Sequence, residues 1–346
     1  MATETQPSTG DALDAAQLAD GRARLYTLLA HLTGAPMTAD RAPLLAAWPP
    51  LQAAYAALPT SDRARAAHYE TILGYQIPPF GGLFLNPDAM LGGPFTAALA
   101  RFYATAGYGT HPHSGGDDHL ANLLSCLAHL NAAESEAWQD HAPPIAHKTQ
   151  TLQRHLLENF LLPWLPPLTH ALHQSRDDFY AAVGELLGTA LTDHWANHGE
   201  ALTPPADVTA VPAPETLPSI PWLLPPDLPD LSTAGTRTIA GFLCRPQQAG
   251  FYLSPVDLQR LGHHFGIAAG FGGRRRQLET LLQTIPLAEL PALLHQLATH
   301  AQQWDDGYAT LALQHSPLVP YIQPWRARIQ ATRTLIENML HQVATT

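Results

Sequence analysis

Nine prolines fall between Pro204 and Pro229, at positions 204, 205, 212, 214, 218, 221, 225, 226 and 229. Proline fixes φ and removes a backbone donor, so no continuous helix crosses this stretch, and an extended polyproline-like strap is expected. The strap divides the 346-residue chain. Trp222, Leu223 and Leu224 interrupt it, and apolar residues in such a strap gain by lying on a protein surface.

Before the strap, the apolar residues recur at helical spacing. Leu18, Leu25, Leu28, Leu29 and Leu32 form one stripe, stopped by Gly34 and Pro36. A second helical piece covers 42–58, and a third starts near Ser61, a suitable N-cap. Residues 75–94 carry four glycines and four prolines but also Phe80, Leu83, Phe84 and Leu85, which marks a shaped loop that tucks into a core or lines a groove. Phe95–Ala106 is helical, and Leu152, Leu156, Phe160 and Leu161 mark a helix that Pro163 ends. Phe179, Val183, Leu187 and Leu191 mark another, with Ser175 and Asp178 in capping-box positions. No strand-like alternation occurs here, so this part is expected to be all-α, seven or eight helices around one core. Beyond the strap, Ser254, Pro255 and Asp257 start a helix. Further helical segments follow at 274–282, 287–304 and 322–342. The expected organisation is a disordered 1–14, a helical domain over 15–200, a linker over 201–232 and a helical extension over 233–346.

The stretch 107–130 reads GYGTHPHSGGDDHLANLLSCLAHL. A Gly- and His-rich loop ends at Asp117, Asp118 and His119, and Leu120, Leu123, Leu124, Leu127 and Leu130 continue as a buried helical stripe. Asp117 is expected as the N-cap, with Asp118 and His119 in the first turn and Asp118, Asn122, Ser125 and His129 as a polar stripe. His111, His113, Asp117, Asp118 and His119 are metal-ligating types within nine positions, so a metal-dependent hydrolase is a rival reading. The Gly115-Gly116 break and the capping demand on Asp117 weigh against it. No G-x-S-x-G, P-loop, dinucleotide-binding glycine pattern or H-E-x-x-H occurs. The reading is a non-enzymatic protein with no catalytic residue, metal or cofactor.

Charged residues are 14% against about 25% in ordinary domains, and the formal net charge is −11. That balance disfavours nucleic acid and suits a basic partner. Cys126 and Cys244 show no CxxC spacing, which fits a reduced, cytoplasmic setting. The beginning, MATETQPSTGDALD, has no apolar h-region, and no apolar run is long enough to insert into a membrane. Arg274, Arg275 and Arg276 form a sharp basic run, read as a solvated helix face or as an anion or acidic-partner site.

Several motifs together resemble the TorD/DmsD/NarJ family of redox-enzyme maturation chaperones. They are R-x-x-L-Y-x-x-L-A at 22–30, the Tyr69-Glu70 pair, Pro78-Pro79-Phe80 with Phe84, Tyr103 with Gly107, D-H-L-A-x-L-L-x-x-L-A-H-L at 118–130, and His155-Leu156 with Trp164. The resemblance covers about residues 15–200. It departs from the family where Asp117 replaces a proline and Gly81-Gly82 replace Glu-Ser, and where Leu123 and Ser125 stand at positions usually acidic. It implies an all-helical cytoplasmic chaperone, monomeric or domain-swapped, that binds the twin-arginine signal or N-terminal segment of a molybdenum or tungsten oxidoreductase subunit until cofactor insertion is complete. Such a segment offers guanidinium groups and an apolar run. The site residues implied are Asp117, Asp118, His119, Tyr69 and Glu70 for its charges, and Pro79, Phe80, Leu83, Phe84 and Gly107 for a groove.

Overall fold

The computed structural model describes residues 9–89, 91–110, 116–201, 226–268, 270 and 272–345. Among them the fold is all-α, and its one β-type pairing is an isolated bridge between Phe80 and His119. The first part comprises α1 (Thr9–Gly34), a 3-10 segment (Ala39–Ala47), α2 (Pro49–Ala56), α3 (Asp62–Tyr69) continued by a π-helical segment (Glu70–Gln76), α4 (Gly81–Leu85) and α5 (Gly93–Ala106). After these come α6 (Leu120–Gln139), α7 (Pro143–Leu156) with a π-helical end (Leu157–Leu161), α8 (Leu165–Gln174) and α9 (Asp178–Ala201). The second part comprises α10 (Thr236–Leu243), α11 (Pro246–Ala249), α12 (Pro255–His264), α13 (Arg274–Thr284), α14 (Leu290–Gln314) and α15 (Val319–Thr345).

Local chemistry explains most boundaries. Ser61 caps α3 by accepting the Ala64 N–H at 3.3 Å. Ser254 and Asp257 form a reciprocal capping box at α12, with Pro255 in the first turn. Two expectations are corrected here. The piece over 42–58 is split at Trp48, because Pro49 disfavours helical geometry in the residue before it. At α9 the capping side chain is Asp177, which accepts the Tyr180 N–H at 2.9 Å, while Ser175 accepts from Asp177 at 3.3 Å instead of closing a box with Asp178.

Helix α6 sits at the centre and is buried on almost every face, with α1 and α7 against it. Tyr26, Leu29 and Leu32 of α1 and Leu123, Leu124 and Leu127 of α6 belong to one apolar cluster. The beginning of α1 has its own small cluster, in which Ala12 and Ala16 pack with Ala137, Trp138 and Ala146. Ser135 donates to the Ala16 carbonyl at 2.8 Å. This packing is why the helix begins at Thr9, inside the 1–14 segment expected to be disordered.

The second part packs on the first through named contacts. Phe84 lies between Trp164 and Tyr252, with ring centroids 5.6 Å from each. The Tyr252 hydroxyl donates to the Gln76 carbonyl at 2.8 Å, and Trp325 Nε1 donates to the Pro163 carbonyl at 2.9 Å. His170 of α8 meets Trp304 of α14 edge-on at 4.7 Å, and any Cβ at Gly307 would overlap the His170 imidazole. Trp222, Leu223 and Leu224 of the strap lie outside the described residues.

Candidate functional site

The segment Pro79–Gly82 and the segment Asp118–Leu120 run side by side. Leu120 N–H donates to the Pro79 carbonyl at 2.8 Å, and Gly81 N–H donates to the Asp118 carbonyl at 2.9 Å. Gly82 N–H donates to Asp118 Oδ2 at 3.0 Å. The Asp118 carboxylate therefore caps α4 from across the chain, satisfying a first-turn donor that no local side chain reaches. Asp118 is 2% exposed, and burial raises its pKa while the Gly82 N–H pulls it back.

His119 makes the second cap. Its Nδ1 accepts the Ala121 N–H at 3.2 Å, so the N-cap of α6 is His119 and not Asp117, and Asp118 and His119 precede the helix instead of forming its first turn. The cause is the bridge to Phe80, which holds His119 in extended geometry. The Phe80 ring meets the His119 ring edge-on at 4.8 Å. Burial lowers the His119 pKa to about 4, so the imidazole is neutral at pH 7, as a hydrogen-bond acceptor must be. Asp117, half-buried, contributes its carbonyl, which accepts the Tyr103 hydroxyl at 2.9 Å. The expected polar stripe on α6 is also corrected: Asn122 is buried and donates to the Gly116 carbonyl at 2.7 Å.

Of the two glycines that depart from the family pattern, Gly81 has a steric reason. A Cβ on Gly81 would overlap the Phe95 ring, so that ring packs against the segment only because this position lacks a side chain. The remaining expected residues separate by burial. Pro79, Leu83 and Phe84 are buried, and Phe84, with no exposure at all, is a core residue and not a groove wall. Tyr69 is buried and donates to the Thr33 carbonyl at 3.1 Å. The next residue, Gly34, faces Ala121 so closely that a Cβ there would stand 2.7 Å from the alanine methyl. Tyr69 thus braces the start of α6. Glu70 is exposed, Phe80 is half-buried, and Gly107 is an exposed left-handed turn with φ 67° that closes α5.

Among the described residues, Glu70 pairs with neither Arg63 nor Arg65. Arg65 instead is buried, where it pairs with Asp62 and donates to the carbonyls of Met37, Pro59 and Thr60. Sequence reasoning missed this anchor, because a charged residue on a helix surface reads as solvated.

A separate cleft of about 600 Å³ lies between the two parts, lined by Gln76 and Arg176 on one side and by Asp257, Arg260, Gln303 and Asp306 on the other. Its lining is polar and of mixed charge. His111 and His113 lie outside the described residues, and among the described ones no group of three or more His, Cys, Asp or Glu is placed to hold a metal ion. The hydrolase reading finds no support, since the Asp118 carboxylate and the His119 Nδ1 are both spent on capping. No helix of the described residues is long and apolar enough to cross a membrane.

A family model described as nitrate reductase delta subunit matches residues 38–170, from the 3-10 segment into α8, and over this segment the chain is similar to the NarJ/TorD-type chaperone family. The family is one of non-catalytic redox-enzyme maturation chaperones that bind molybdoenzyme subunits. No curated protein and no solved structure matches the chain. The R-x-x-L-Y motif at 22–30 and all of α9 to α15 lie outside the matched segment.

Proposed function

We propose that this chaperone binds, in the cytoplasm, the twin-arginine signal or N-terminal segment of a molybdenum or tungsten oxidoreductase subunit and holds it until the cofactor is inserted. The observation that carries the reading is the family match over the stretch that contains the paired segments Pro79–Gly82 and Asp118–Leu120. Within that site the residues divide by role. Asp118, His119, Tyr69, Pro79, Leu83 and Phe84 build the support, and the client is met at its accessible edge by Phe80, Asp117, Glu70 and the Gly107 turn. Carboxylates at that edge suit guanidinium groups, and the Phe80 ring suits the apolar run that follows them.

The test is calorimetry on the full chain with a peptide carrying paired arginines before an apolar run, beside a peptide in which both arginines are glutamine. Saturable binding of the first, weakened at least about tenfold in the second, is the expected result, equivalent to about 1.4 kcal/mol. Equal binding of both peptides would refute arginine recognition.

A further inference from the structure

We propose that Arg245, Arg274, Arg275 and Arg276 form a docking surface for an acidic polypeptide segment, separate from the edge that meets the client's basic segment and independent of that reading. The chain has net charge −11 and only 18 lysines and arginines, yet these four arginines gather around α10 and the start of α13. From the Cβ position of Gly241, the Arg275 Cδ is 3.7 Å away and an Arg245 Nη is 3.9 Å away. Arg274 and Arg275 both lie near enough to Cys244 to oppose the rise that burial causes in its thiol pKa.

No ion pair among the described residues includes any of the four. Glu279, the acid on the same helix, accepts from Gln283 instead. Three successive arginines also open α13 at the positive end of its dipole, and its N-cap, Gly273, offers no side-chain acceptor. Like charges, an uncapped helix start and absent counter-charges are each relieved by carboxylates from outside.

Two of the guanidinium groups are already held in place. Arg245 Nε donates to the Gly241 carbonyl at 2.7 Å and Nη1 to the Pro87 carbonyl at 3.2 Å. Arg274 stacks 4.3 Å over the Tyr252 ring while Nη1 donates to the Leu253 carbonyl at 3.0 Å. Fixed arginines lose little freedom on binding, and their planar forks match carboxylates in pairs. Arg275 and Arg276 are exposed beside them. The small footprint within a strongly acidic protein favours a short acidic segment over nucleic acid or an anionic membrane, since both of those would meet repulsion beyond the patch.

The test uses the full chain and a short fluorescein-labelled peptide of alternating Glu and Ala, read by anisotropy. The expected result is saturable binding that weakens as NaCl is raised and falls at least about tenfold in Arg275→Glu/Arg276→Glu. Arg275→Gln/Arg276→Gln, which keeps side-chain length, should lose less. Both variants should melt with the wild type, because neither side chain supports the fold, and should bind the paired-arginine peptide as before. Undiminished binding in the charge-reversed variant would overturn the proposal, as would equal binding of a Gln-Ala peptide. So would displacement by millimolar inorganic phosphate, or preferential binding of single-stranded RNA or phosphatidylserine vesicles.

Discussion

Asp118 shows how one side chain can be recognised correctly and its task misjudged. The Asp-His pair before a leucine stripe is visible in the sequence, and so is its place at a helix start. What the sequence hides is that the Asp118 carboxylate serves α4, a helix far back along the chain, and that a bridge to Phe80 moves the cap of α6 to His119. Local preference favours aspartate at an N-cap, but a long-range backbone pairing decided the register. Asp118→Ala should therefore lose about 1–3 kcal/mol of stability by stranding the Gly82 N–H. Asp118→Asn keeps an acceptor and should lose less, with both values read from urea midpoints. Gly81→Ala should cost a similar about 1–3 kcal/mol, because the Phe95 ring must move. A wild-type midpoint for Gly81→Ala would show that the Phe95 ring is not packed against Gly81 as closely as the structure places it.

At the scale of elements, periodicity located the helices because each buries a stripe, and it failed where a helix is buried all round. On α6 the polar residues Asn122, Asn131, Glu134 and Ser135 are buried among the leucines, and no spacing rule distinguishes them from a solvent face. Glu134 accepts from Gln150 at 2.6 Å, from Gln153 at 2.8 Å and from Trp138 Nε1 at 3.3 Å. The chain of bonds continues from Gln153 to His194 at 3.0 Å and from His194 to the Tyr26 hydroxyl at 2.8 Å, so one polar thread joins α6, α7, α9 and α1. Its physical role is to fix the register of four helices whose apolar faces would tolerate sliding. Glu134→Ala leaves two buried amides unpaired and should cost about 2–4 kcal/mol, whereas Glu134→Gln, which retains one acceptor, should cost clearly less. Differential scanning calorimetry checks the order, and equal losses in the two variants would mean that volume matters there and hydrogen bonding does not.

For the molecule as a whole, the unread feature was how much of the contact between the two parts is aromatic and histidine-rich. Phe84 seemed a groove residue because a Gly- and Pro-rich loop carries it; its partner Tyr252 belongs to a part of the chain that no local pattern connects to it. The same contact makes stability depend on pH. Burial lowers His170 at the α8–α14 contact to about 4, as it does His119, and it lowers His155, His173 and His300 in the same direction. At His119 and His170 the unfolded chain takes up its proton near pH 6.5 while the folded chain refuses it until about pH 4, so stability is lost as pH falls through that window. His119 and His170 should each contribute a loss of about 2 kcal/mol between pH 7 and pH 5. Asp118 acts with the opposite sign, since its pKa is raised and acidification relieves its burial, and so offsets part of the fall. A chain ending at Ala201 removes Tyr252, Trp304 and Trp325, baring Phe84, His170 and Trp164, and it should melt lower at pH 7 and bind more of an apolar dye than the full chain. It should also lose less on acidification, because its His170, no longer buried, titrates near the ordinary value in both states. Parallel melting curves of the two chains from pH 7 to pH 5 decide the matter: an identical acid-induced drop would mean that the α8–α14 contact holds no proton-linked stability.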